Sequence, residues 1–178
     1  AEGMPYGFCM SSSNTDRRLL SSSTLASACD EGEDVATWAM GNAAWNAGNH
    51  TNTNFPWDED CRFYLRNHTM RVANLILKRI HEVPFDEGDP DFNKRTTGEA
   101  YFMRAMLLWE GVYRYGGMPI VREVIDPTDF SQRPRNSFSD CIDSILIDCD
   151  RATQYLPDYY TDNAKLGRAT RIAALALK

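Results

Sequence analysis

The sequence predicts an all-α fold, tetratricopeptide-like stacked helical hairpins led in by a long loop-rich amino-terminal segment. Three observations predict it. From residue 58 onward, apolar residues recur every three or four positions, the spacing of one helix face. These periodic stretches are bounded by capping signals at their starts and by Pro or Gly at their ends. Residues 1–57, in contrast, are mixed and rich in Ser, Asn and Gly. The chain therefore divides by pattern into 1–57, a loop-rich segment, and 58–178, a helical-repeat scaffold.

The first helix is expected over about 59–82. Leu65, Val72, Leu75, Ile76 and Ile80 follow Cys61 on one face until Pro84, while Arg62, Arg66 and Arg71 share the rest of its surface. For the second, Thr96 with Glu99 reads as a capping box, and the helix ends at Gly116-Gly117. Ala100, Met103, Leu107, Phe102, Met106, Trp109 and Tyr113 lie nearly all round it, so this helix packs on more than one side. Met118-Pro119-Ile120-Val121 reads as an extended connector. Ser137 with Asp140 is another capping box, opening the helix of Phe138, Ile142, Ile145, Cys149, Ala152 and Leu156 that Pro157 stops. A fourth helix starts near Arg168 and runs through Ile172, Leu175 and Leu177 to the last residue, so the scaffold is expected to be truncated at its carboxyl end. The full 34-residue tetratricopeptide consensus is not traceable; successive helix pairs carry the comparison. Such arrays present extended surfaces for interaction.

A chain of 178 residues is long enough to bury a core, and 43% hydrophobic with 25% charged residues is ordinary for a globular protein. A net charge of −6, with no basic cluster, excludes attraction to phosphate backbones, so no nucleic-acid partner is expected. Five cysteines without a C-x-x-C pair signal neither zinc nor thioredoxin-type chemistry. No apolar run approaches the roughly 20 residues of a membrane-spanning helix. Arg17-Arg18-Leu19-Leu20 followed by Leu25-Ala26-Ser27-Ala28-Cys29 has the look of a short export signal reaching a lipobox cysteine. Ser21, Ser22, Ser23 and Thr24 break the apolar stretch it would need, so it is not read as one.

No catalytic residue is expected. G-x-S-x-G, G-x-x-x-x-G-K and G-x-G-x-x-G are all missing, and His50, His68 and His81 match no helical metal pair. Acidic pairs such as Asp30-Glu31, or Asp148 with Asp150, could serve glycoside hydrolysis, but a solvated face is the expected reading. Asp89, Asp91 and Asn93 imitate the start of a calcium loop; Lys94 stands where glycine and Ala100 where a bidentate glutamate would be needed, which excludes an EF-hand and leaves a looser calcium site open. No metal and no cofactor is assigned. Asn49-His50-Thr51 and Asn67-His68-Thr69 are formal glycosylation sequons of the kind that arise by chance.

Residues 37–57 form the candidate ligand loop. Trp38, Trp45, Phe55 and Trp57 are interleaved there with Asn42, Asn46, Asn49, Asn52 and Asn54. The C–H face of a pyranose packs on an aromatic ring, and a side-chain amide offers both donors and an acceptor to sugar hydroxyls. Trp38, Trp45, Asn46, Asn49, Asn52, Asn54 and Trp57 are the candidate binding residues. The competing reading has the tryptophans pinning the loop to the helices and the asparagines making turns. Trp45, between Ala44 and Asn46 in a polar stretch, is expected to be exposed.

Gly98-Glu99-Ala100, Arg104-Ala105 and Tyr115-Gly116-Gly117-Met118-Pro119, in that order, resemble the signature of the SusD/RagB family. Arg71-Val72-Ala73-Asn74 resembles the family's Ala-Asn on the preceding helix. Ile147–Ala152 with Leu156-Pro157 resembles its acidic helix and Leu-Pro stop, and Gly167-Arg168-Ala169 its Gly-Arg-Ala. Cys149 departs from the leucine usual there. The likeness covers about 58–178 well and the first 57 residues loosely. It implies an amino-terminal portion of a longer surface protein anchored through a lipidated cysteine on the outer face of the Bacteroidetes outer membrane. It also implies an oligosaccharide ligand passed to a SusC-like TonB-dependent transporter, and a glycan-binding surface that includes the segment before the Ala-Asn helix. A peptide-binding member, or a helical interaction scaffold without a small ligand, are the alternatives. Glu99 is read as a helix cap, Arg104 and Arg114 as structural ion-pair partners, and Asn74 as a buried hydrogen-bonding peg.

Overall fold

The structure is a computed structural model that describes residues 57–126, 128–129 and 132–178. The chain forms two compact units, 1–67 and 68–178. The elements of the described residues are α1 (Trp57–Arg79), extended by a 3-10 turn (Ile80–Glu82), α2 (Phe92–Tyr115), α3 (Phe138–Tyr155), a 3-10 turn (Asn163–Lys165) and α4 (Arg171–Leu177). No strand occurs among the described residues. The fold is all-α, as the periodicity predicts.

α2 and α3 run antiparallel. Gly117, just past the end of α2, abuts Asn136 and Ser137 at the start of α3, while Gly98 near the start of α2 abuts Tyr155 and Leu156 at the end of α3. α4 folds back along α3 in the same way: Arg171 N–H donates to Pro157 O (2.8 Å), and Lys178 at the far end pairs with Asp150 (2.6 Å). Two apolar clusters lie between these helices. One gathers Ala105, Leu108 and Val112 of α2 against Cys141, Ile145 and Cys149 of α3, with Met70, Met118, Ile120, Ile142 and Leu177 around it. The other joins Ala152 and Leu156 to Ala174, with Tyr101, Phe102 and Ala169 alongside. Burying an aliphatic side chain of this size stabilises by roughly 1.5–3 kcal/mol. α4 is therefore held through Ala174 and Leu177, while Ile172 and Leu175 stay exposed.

α3 begins as expected: Ser137 Oγ accepts from Asp140 N–H (3.0 Å) and the Asp140 carboxylate accepts from Ser137 N–H (3.2 Å). The start of α2 differs from expectation. The helix opens at Phe92, one turn upstream of Thr96, so Thr96 and Glu99 are not a capping box. Asp89 O accepts from Phe92 N–H and Asp91 O from Arg95 N–H, which lets the helix begin without a side-chain cap. Glu99, free of capping, takes both of its oxygens across to Arg168 (2.6 and 2.7 Å). α4 starts at Arg171, with Thr170 Oγ1 accepting from Ala173 N–H.

The connector after α2 is extended and tightly held. Gly116 has φ +72°, a left-handed geometry that favours glycine. Asn136 closes the connector onto itself, accepting from Ile120 N–H (3.0 Å) and donating to Met118 O (3.1 Å), and Arg135 donates to Gly117 O (2.6 Å).

Candidate ligand-binding site

One buried polar cluster ties α1, α2, α3 and the connector together. Asn74 donates through its amide to Val121 O (3.0 Å) and Glu123 O (3.1 Å), and its amide oxygen accepts from Arg104 Nη1 (3.0 Å). Arg104 also clasps Asp148 through Nε (2.7 Å) and Nη2 (2.6 Å). Arg122 donates to Ser144 Oγ (2.8 Å) and Ser144 O (3.0 Å) and lies 3.8 Å from Asp148. A buried ion pair is tolerable only when its remaining valences are met in this way. The peg reading of Asn74 and the ion-pair reading of Arg104 hold; the side chain of Arg114 lies outside the described residues. Asp148 is not on a solvated face: it is 1% exposed and committed to Arg104, whereas Asp150 is exposed and paired with Lys178. With its polar atoms spent on one another, this cluster offers no acid, base or ligand.

Among the sequence-predicted binding residues, Trp38, Trp45, Asn46, Asn49, Asn52 and Asn54 lie outside the described residues, and Trp57 is the first residue of α1. The calcium-loop imitation resolves differently. Asp89 is gripped by Arg95 (2.5 and 3.0 Å) and Lys165 (3.2 Å), and Asn93 donates to Val83 O (3.0 Å). The Arg95 guanidinium, aided by Lys165, holds the Asp89 carboxyl well below its ordinary range despite some opposing desolvation. That carboxylate is already neutralised by two cations, and no group of metal-ligating side chains is present among the described residues.

Between the first turn of α2 and the segment after α3 lies a cleft of about 280 Å³. Lys94, Arg95 and Lys165 line it, together with Tyr155, Tyr159 and Tyr160. Pro157 follows the end of α3, and the chain beyond it brings Tyr159 and Tyr160 to the cleft that Arg95 also lines. Tyr160 is fixed, its hydroxyl donating to Ala169 O (3.0 Å), and burial pushes its phenol up from the ordinary value. Tyr159, by contrast, is 73% exposed. Arg95 is buried and its Nε–H has no acceptor among the described residues. Sequence reasoning passed over this cleft. The adjacent Tyr159-Tyr160 pair just beyond a helix-stopping proline was the available signal, but nothing in the sequence placed it beside Lys94 and Arg95 on the far side of α2 and α3 in the chain.

A family model named SusD-like_3, described as "Starch-binding associating with outer membrane", matches residues 13–178. A SusD-like protein from Bacteroides fragilis is 36% identical, with a TM-score of 0.61 over 69% of this chain and 23% of its own. A laminarin-binding SusD-like protein, 23% identical, superposes with a TM-score of 0.67 over 78% of this chain and 28% of its own. A surface glycan-binding protein A from Bacteroides fluxus is 19% identical, with a TM-score of 0.55 over 65% of this chain and 24% of its own. The last two, by their low identity, attest the fold. The chain spans about a quarter of the length of these solved structures. No match was found among curated proteins.

Proposed function

The chain belongs to the SusD-like family, and on that premise we propose that it captures oligosaccharide at the cell surface and passes it, unaltered, to a SusC-like TonB-dependent transporter. The complete protein would be held by a lipid on the outer face of the outer membrane. The observation that carries this reading is the family match over residues 13–178, to a family described by starch binding and the outer membrane. The chemistry of the chain is compatible with it. A neutral glycan is recognised by aromatic faces and amide hydrogen bonds without ion pairing, and residues 37–57 supply Trp38, Trp45 and Trp57 among Asn46, Asn49, Asn52 and Asn54. The division of labour we propose is a binding segment within 1–57 and a scaffold over 58–178 that positions it.

The test is a glycan array run beside a peptide library with the same chain. Binding to glycans with silence toward peptides is expected. Retention of peptides with glycan silence would replace this reading by a peptide cargo, and silence toward both would leave a scaffold. Trp45→Ala should weaken glycan binding by roughly 1–3 kcal/mol, the cost of one well-packed aromatic contact, with the melting temperature almost unchanged. A large fall in melting temperature with binding intact would make that ring structural.

A further inference from the structure

We propose that the cleft lined by Lys94, Arg95, Lys165, Tyr155, Tyr159 and Tyr160 is a second saccharide site, taking one end of a short, neutral glycan. This rests on the glycan-binding reading and adds to it a place, lined by residues of the helical scaffold, where sugar is held.

Size is the first argument. At about 280 Å³ the cleft sits just under the roughly 300–1,000 Å³ usual for small-molecule sites, which suits the terminal unit of an oligosaccharide better than a long stretch of chain. Charge is the second. Lys94, Arg95 and Lys165 are balanced by Asp91 and Asp162 in the lining and by Asp89 behind it, so the cleft has no net charge to attract an anion or a cation. The third is the division of its polar groups. Arg95, Lys165 and Tyr160 are committed to Asp89 and Ala169 and form a rigid wall. Lys94 and Tyr159 are exposed and have no polar partner among the described residues.

Tyr159 is the decisive residue. Tyr159 is 73% exposed and lines this concave, polar cleft, so it stays open to a ligand. Such a ring offers a flat apolar face to a pyranose and a hydroxyl to its edge. Tyr160 beside it is anchored, its hydroxyl donating to Ala169 O (3.0 Å).

The experiment uses the chain labelled with carbon-13 on its tyrosine rings, titrated with maltoheptaose and, separately, laminarihexaose. The Tyr159 resonance is identified by its loss in Tyr159→Phe. A saturable shift of that resonance is expected with at least one probe, and it should persist in Trp45→Ala. Tyr159→Ala should weaken binding at this site by roughly two- to tenfold, the worth of one aromatic contact, while Tyr159→Phe, which keeps the ring, should bind nearly as the wild type. An unmoved Tyr159 resonance with both probes overturns the proposal. Calorimetry on the same samples separates the two failures: heat of binding with a silent Tyr159 sinks the cleft alone, whereas no heat with either probe, together with a silent glycan array, sinks the glycan reading too.

Discussion

Arg104 on α2 and Asp148 on α3 meet in a two-point ion pair at 2.6 and 2.7 Å, with side chains 6% and 2% exposed. The pair sits midway along the antiparallel helices, between the Gly98 and Gly117 crossings, and Asn74 extends it to α1 and the connector. Asp148→Asn should cost about 3–5 kcal/mol, because it leaves the Arg104 guanidinium buried without its counter-charge. The combined Arg104→Met, Asp148→Leu variant should recover part of that loss, since an apolar pair needs no desolvation of charge while the Asn74 amide oxygen loses its donor. Urea unfolding of the three proteins checks it; a double variant no better than the single one would mean that the ion pair is itself net stabilising.

Two glycines set how closely the same helices approach. A Cβ on Gly98 would lie 2.8 Å from Leu156 Cγ and 2.9 Å from Tyr155 Cβ, and one on Gly117 would lie 2.1 Å from Asn136 O. Alanine at 98 gains about 1 kcal/mol of helix propensity within α2, yet overpacking costs typically 1–3 kcal/mol, so Gly98→Ala should be net destabilising. Gly117→Ala should be worse, since it meets backbone that cannot rotate away. Thermal melts that rank the two in the opposite order would show that the α3 start yields more readily than the Leu156 side chain.

Cys149 is fully buried in the α2–α3 core. Burial first, then the carboxylates of Asp148 and Asp150, pushes its thiol up to about 11. Since the thiolate is the nucleophile, the folded chain should leave Cys149 unmodified by iodoacetamide at pH 8 while the urea-unfolded chain reacts. Peptide mapping after a timed exposure gives the answer, and equal labelling in both states would mean that the core opens on the timescale of the reaction.

The helices were legible because their signals are local. Ser137 and Asp140 lie three residues apart and cap each other, and the Ile145, Cys149, Ala152 and Leu156 face follows from spacing alone. What escaped the sequence depends on distant partners. Glu99 resembled a cap until Arg168 took both its oxygens, and Asp148 resembled a surface acid because nothing local announces Arg104, 44 residues away. Asp89 imitated the start of a calcium loop, and its real partners were hidden for the same reason: Arg95 is near in sequence, but Lys165 arrives from beyond α3. The cleft is of this kind, assembled by the turn at Pro157. Trp38 and Trp45, whose pattern suggested a ligand loop, stand outside the described residues.

Asp89 also gives the fold a defined acid sensitivity. Its carboxylate is bonded to Arg95 and Lys165, and its pKa is lowered in the folded chain, chiefly by the Arg95 hydrogen bond. In the unfolded chain it returns to about 3.9. Below that value the unfolded chain binds a proton that the folded chain resists, so the stabilisation is fully present above about pH 4 and is lost as pH falls toward the lower, folded value. Asp158, held down by Arg171, and Asp126, held down by Thr128, add in the same direction. Asp89→Asn should therefore be clearly less stable than wild type at pH 7, with the gap closing as the pH is taken from 4 downward, because protonated Asp89 is then nearly the equivalent of the amide. Urea midpoints of both proteins from pH 7 to pH 2 measure this. A gap that stayed constant over the whole range would mean that Asp89 contributes through its shape and hydrogen bonding and not through its charge.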